Sequence, residues 1–145
     1  MNYLNMKKIF IYLIPFLWIV ALFLPAYIFP PSYHDNKEVM YRGFMCLIFG
    51  WADGHVTIFG AWFANIPFLI SYLMFLSKNP IKKFSVLLSA FAFCLSLLAL
   101  TINTLILDEA GNTSATYPSI GAFVWIGSIL LLLIGNIAVY RLQKN

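Results

Sequence analysis

Six side chains could do chemistry at one place: His34 and Asp35, Asp53 and His55, and Asp108 and Glu109. Two imidazoles with carboxylates are an acceptable ligand set for a divalent cation, and paired carboxylates can serve as acid and base. Gly54 favours a tight turn between Asp53 and His55, so the candidate outer cluster is Asp53, His55, Asp108 and Glu109. Their spacing carries no signature. A His-x-Glu-x-x-His motif, a Gly-x-Ser-x-Gly elbow and a phosphate-cradling glycine loop are all missing from the sequence. Cys46 and Cys94 form neither a CxxC pair nor a zinc spacing, and they read as small apolar fillers at different depths. No catalytic residue, resident metal or cofactor is therefore expected.

What could bring the six together is a membrane. The chain is 62% hydrophobic and 10% charged, against about 45–50% and about 25% in soluble domains, so water is the wrong solvent for it. Four runs, 9–29, 56–76, 84–107 and 119–140, hold no Asp, Glu, Lys or Arg. Each reaches the roughly 20 residues that a helix needs to cross a bilayer. Barrel strands would be about 10 residues long with alternating polar positions, which the runs do not show. The expectation is an all-α membrane protein: one domain over residues 1–145, a four-transmembrane-helix bundle with outer loops 30–55 and 108–118. The first run follows Lys7 and Lys8 but exceeds a signal-peptide core and has no small-x-small cleavage site, which predicts a retained anchor.

Charge sets the orientation. Lys7, Lys8, Lys78, Lys82, Lys83, Arg141 and Lys144 fall on one side, while Lys37, Arg42 and all five acidic residues fall on the other. Basic residues are retained in the cytoplasm, so both ends should lie inside. Scattered in this way, the basic residues make no patch for a nucleic acid. Tyr27, Tyr33, Tyr41 and Tyr117 mark one interfacial aromatic belt, and Tyr3, Tyr12, Tyr72 and Tyr140 the other. Within loop 30–55, the apolar stretch Phe44 to Ala52 is too short to cross. It should be either a re-entrant or interfacial segment, or a short buried helix over the outer mouth.

Lipid removes the hydrophobic drive between helices, so close packing falls to small residues and side-chain hydrogen bonds. Ser85, Ser89, Ala92, Ser96, Ala99 and Asn103 recur at spacings of four and three along the third run. Gly60, Ala64, Pro67 and Ser71 repeat the pattern in the second, and Gly121, Ser128 and Gly135 stand one heptad apart in the fourth. Such faces could hold the bundle together or, on the fourth helix, dock another membrane protein or a second copy. The runs keep no ionisable residue; Asn65 and Asn136, with Thr101, Thr104 and Ser128, suit interhelical hydrogen bonds or a neutral substrate. Pro15, Pro25 and Pro67 predict kinks.

Gly50-Trp51, then Trp62-Phe63-Ala64-Asn65-Ile66-Pro67, then Asp108-Glu109-Ala110-Gly111, resemble elements of small uncharacterised four-span bacterial inner-membrane proteins. That resemblance implies a multi-pass protein of the bacterial inner membrane and brings no activity with it. Size and topology are also similar to those of immunity proteins against pore-forming bacteriocins. The small multidrug transporters share the four-span size, but their first-span glutamate has no counterpart here. Three functions are expected in turn. The first is an accessory or interaction protein, immunity- or regulator-like, packing against a membrane partner within the lipid bilayer. The second is a small transporter or channel for a neutral or cationic solute, and the third an outer-face metal-dependent enzyme.

Overall fold

Proline placement decides how much of each apolar run is helical. In the computed structural model, which describes residues 3–30, 39–52, 56–77, 82–106 and 113–142, α1 spans Tyr3–Phe23 and carries Pro15 inside it. It stops short of Pro25, whose ring disfavours the helical conformation at Leu24 and has no N–H to give the preceding turn. Residues Pro25–Phe29 instead form strand β1. A proline opening a strand is well tolerated, and β1 pairs antiparallel with β2, Val39–Arg42, setting Tyr27 opposite Tyr41 and Phe29 opposite Val39.

The second run is interrupted where its proline predicts. Helix α3, Val56–Phe63, gives way at Ala64 to α4, Asn65–Leu76. Pro67 cannot donate to the Phe63 carbonyl, and the chain tightens so that the Ala64 N–H reaches Ala61 O at 3.2 Å. The third run is helical over α5, Lys82–Ser96, and narrows into a 3₁₀ segment, Leu97–Thr101. It then turns extended: β3, Thr104–Ile106, pairs with β4, Thr113–Ala115. A two-residue strand β5, Tyr117–Pro118, joins the free side of β1, and the Ser119 N–H donates to Ala26 O at 2.7 Å just before α6, Ile120–Leu142.

The chain is thus mostly helical, and among the described residues three helical stretches are long and apolar enough to cross a membrane, Ile58–Leu76 across the α3–α4 break, Lys83–Thr101 and Ile120–Leu142. The all-α expectation needs a correction: a sheet of order β2-β1-β5 and the β3-β4 pair lie at one end. The run boundaries at 29 and 107 shift with it, because a charge-free run can finish as a strand once neighbouring strands satisfy its backbone.

Consecutive helical columns run in opposite directions. Phe10, early in α1, meets Gly135, late in α6, while Leu24 just past α1 meets Gly121 at the start of α6. Ser71 of α4 meets Ser85 of α5, and Ser85 meets Asn136 of α6. Two buried apolar clusters follow. The terminal end, where α1 begins and α6 finishes, is filled by residues including Ile14, Phe68, Phe75, Ala92 and Leu132. At the sheet end, Tyr27, Phe29, Ile58, Ala61, Ile102 and Leu105 belong to the second. The stretch expected to be re-entrant or buried is a two-turn helix, α2, Gly43–Phe49, none of whose residues is buried. It packs across the end of α1 and beside β1.

Candidate functional site

Asp53, His55, Asp108 and Glu109, with His34 and Asp35, lie outside the described residues. Among the described residues, no group of three His, Cys, Asp or Glu side chains comes together.

The intramembrane polar residues split into two groups. At the terminal end, α4, α5 and α6 each bring a polar residue to one point. The Ser85 hydroxyl donates to Asn136 Oδ1 at 2.8 Å, and Asn136 Nδ2 donates to Ser71 Oγ at 3.0 Å and to Ser89 Oγ at 3.3 Å. The Ser71 hydroxyl donates to the Ser85 carbonyl at 2.9 Å, and Ser89 donates to the same carbonyl at 2.9 Å. Every hydroxyl spends its proton and the amide spends both of its own. A saturated network of this kind binds three helices and offers nothing to a ligand.

Further along, the break at Ala64 turns Asn65 inward. Its Oδ1 accepts from Trp18 Nε1 at 3.3 Å and from Trp125 Nε1 at 3.1 Å, while its Nδ2 donates to Trp62 O at 2.9 Å. Buried indoles need an acceptor, and one carboxamide supplies it to α1 and α6 together. The Trp62 indole donates in turn to Leu47 O at 2.8 Å, which ties α3 to α2.

Above Asn65 lies a cavity of about 570 Å³. Ala61 and Trp62 line one wall, Ala99 and Ile102 a second, and Gly121, Ala122 and Trp125 a third. Ala26 and Tyr27 of β1 with Leu105 of β3 close it toward the sheet, and α2 flanks the remaining side with Gly43, Cys46 and Leu47. Among the described residues, no charged side chain lines it. The Tyr27 hydroxyl is committed to Ala99 O at 2.8 Å, a carbonyl that the 3₁₀ segment leaves without a helical partner. Tyr27 is only 5% exposed, so it is a packed roof residue where the sequence suggests an interfacial belt. The volume falls within the range of pockets that take small molecules.

The stripe Ser85, Ser89, Ala92, Ser96 and Ala99 lies on the covered face of α5 and its 3₁₀ extension, all buried. Asn103 departs from it: the helix has ended, the side chain is exposed, and its carbonyl accepts the Thr116 N–H at 2.8 Å. Gly121, Ser128 and Gly135 also face inward. A Cβ on Gly121 would stand 2.7 Å from Pro25 O, and one on Gly135 would stand 3.2 Å from the Phe10 ring. The face expected to receive a partner is therefore covered by this chain's own α1 and the segment that follows it.

Sequence reasoning missed the cavity and the tryptophan–asparagine cluster. A signal was present in Ala21, Ala26, Ala61, Ala99 and Ala122, small residues at the outer ends of four separate runs. Comparison with protein-family models, with curated proteins and with solved structures returns no match to the chain. Fold and site together define a mostly helical chain with helices able to cross a membrane and a cavity at one end whose described lining is mostly apolar.

Proposed function

We propose that this is a non-catalytic binding protein of the bacterial inner membrane, with four spans and both ends inside, whose sheet-end cavity holds an uncharged, mostly apolar guest. The observation that carries the reading is the cavity itself: about 570 Å³, walled mostly by apolar residues, with the Asn65 amide and the indoles of Trp62 and Trp125 in its lining. A cavity lined in this way favours guests without charge, since burying an unpaired ion costs far more than the site can return. It fits the expectation of a neutral solute better than that of a cationic one. Docking of a membrane partner on Gly121, Ser128 and Gly135 gains no support from their burial.

Support for a fourth span comes from α1, whose 21 residues reach about 31 Å at 1.5 Å each. Its Lys7 lies over the Phe75 ring at 5.7 Å and near Ser77 O, where a long side chain can carry its charge back to the interface. The test is binding of an uncharged solvatochromic dye to the protein in lipid nanodiscs. Saturable binding that Ala61→Phe abolishes is expected. Dye uptake identical in empty nanodiscs, or unchanged by the substitution, would overturn the reading. A reporter fused after Asn145 tests the orientation and should respond as cytoplasmic; an exterior signal would reverse it.

A further inference from the structure

Resting on the cavity reading, we infer that the guest is one acyl chain of a membrane phospholipid, which enters sideways beneath α2 with its phosphate near Arg42. The direction of the opening follows from which lining residues are exposed. Ala26 and Tyr27 of the central strand β1 are buried, so this strand closes the cavity on its side. Among the described residues, the exposed ones in the lining are Phe49, at the end of α2, and Ala52 just after it. Ile48, Phe49 and Trp51, all more than half exposed, make that rim apolar. A mouth flanked by exposed apolar side chains and a tryptophan suits the boundary between headgroups and acyl chains better than bulk water.

Volume and charge narrow the occupant. An apolar cavity of about 150 Å³ takes one benzene ring, so 570 Å³ has room for roughly twenty carbons, enough for a single long chain and too little for two. Arg42 immediately precedes Gly43 of the lining, and its side chain is exposed. Among the described residues at the sheet end it is the only one with a charged side chain. A guanidinium beside an apolar mouth matches a phosphodiester carried on a hydrocarbon chain. Gly43 also lets α2 seat directly on the Ala21 carbonyl, which a Cβ there would meet. Its N–H donates to Leu24 O at 3.1 Å, holding Arg42 at the rim.

The experiment uses the full chain in nanodiscs doped with phosphatidylglycerol carrying a diazirine near one acyl terminus, with crosslinks mapped by mass spectrometry. Lipid surrounding the protein labels exposed residues such as Leu87 and Phe91; only a chain inside the cavity labels buried Ala61, Ile102 or Leu105. Internal labelling is expected, and Ala61→Phe should remove it while leaving the Leu87 and Phe91 labels, which report that the fold survives. Arg42→Gln, an exposed change that leaves the cavity intact, should lower internal labelling about two- to fivefold, the range of an exposed ion pair. A diazirine diacylglycerol without the phosphate should label internally to the same reduced extent in either protein. Equal internal labelling by both lipids, or none of it sensitive to Arg42→Gln, overturns the phosphate contact. Labels confined to exposed residues overturn the acyl-chain occupant. If the dye still binds and responds to Ala61→Phe, the cavity reading stands without it; if neither dye nor lipid enters, both fall.

Discussion

At the terminal end, Ser71, Ser85, Ser89 and Asn136 close a saturated ring of hydrogen bonds between α4, α5 and α6, with Ala92, Leu132 and Phe75 packed alongside. At the sheet end the same columns are held apart. Trp18 and Trp125 hang on Asn65, Tyr27 hangs on Ala99 O, and about 570 Å³ of space remains between them. Small residues serve both halves. Serines bring backbones close because they fill the contact with a hydroxyl that also bonds; alanines opposite large aromatics leave room that no other described residue fills. The difference is one of partner rather than of size. A small residue facing another small residue makes a seam, and one facing a tryptophan or a strand makes a wall.

The contrast can be attacked in stages, beginning with the seam. Asn136→Ala strips partners from three serines at once and should cost about 2–3 kcal/mol, since each buried polar group left unpaired costs about 1–3 kcal/mol and some will find substitutes. The measurement is the midpoint of denaturant unfolding in mixed micelles; an unchanged midpoint would mean that the ring is incidental. Gly121→Ala should cost about 1–2 kcal/mol, because its Cβ would press on the Pro25 and Leu24 carbonyls, backbone atoms that cannot swing aside. Gly127→Ala, with nothing within 4 Å of the new Cβ, should be neutral or gain up to about 1 kcal/mol in helix propensity. Asn65→Leu should cost about 1 kcal/mol and shift tryptophan emission, as two indole N–H groups lose their acceptor. Emission identical to the parent would place those indoles elsewhere.

Much of the seam was legible in the sequence and most of the cavity was not. Ser85 to Ala99 sit at helical spacing, so one element alone shows which residues share a face, and the Asn65-to-Pro67 step announces the break between α3 and α4. Pro25–Phe29 and Thr104–Ile106 read as the ends of spans because counting uncharged residues measures length and solvent, and says nothing of backbone conformation. Asn103 falls on the stripe by spacing for the same reason: its position continues a helix that ends at Thr101. The cavity needs the relative rotation of separate elements, which places Ala61, Ala99 and Ala122 around one space although they lie far apart in the chain. No spacing rule reports that. The carboxylates and histidines of the outer cluster lie outside the described residues.

The central claim, a packed half and a hollow half, is tested most directly by one matched pair of substitutions read as thermal unfolding midpoints in the same detergent. Ala92→Leu adds its bulk where side chains already touch and should lose at least about 1 kcal/mol. Ala61→Leu adds the same bulk beside the cavity and should stay within about 0.5 kcal/mol of the parent, or gain slightly by filling space. Equal losses for the two would contradict the account, because they would show that the sheet end is as tightly filled as the terminal end.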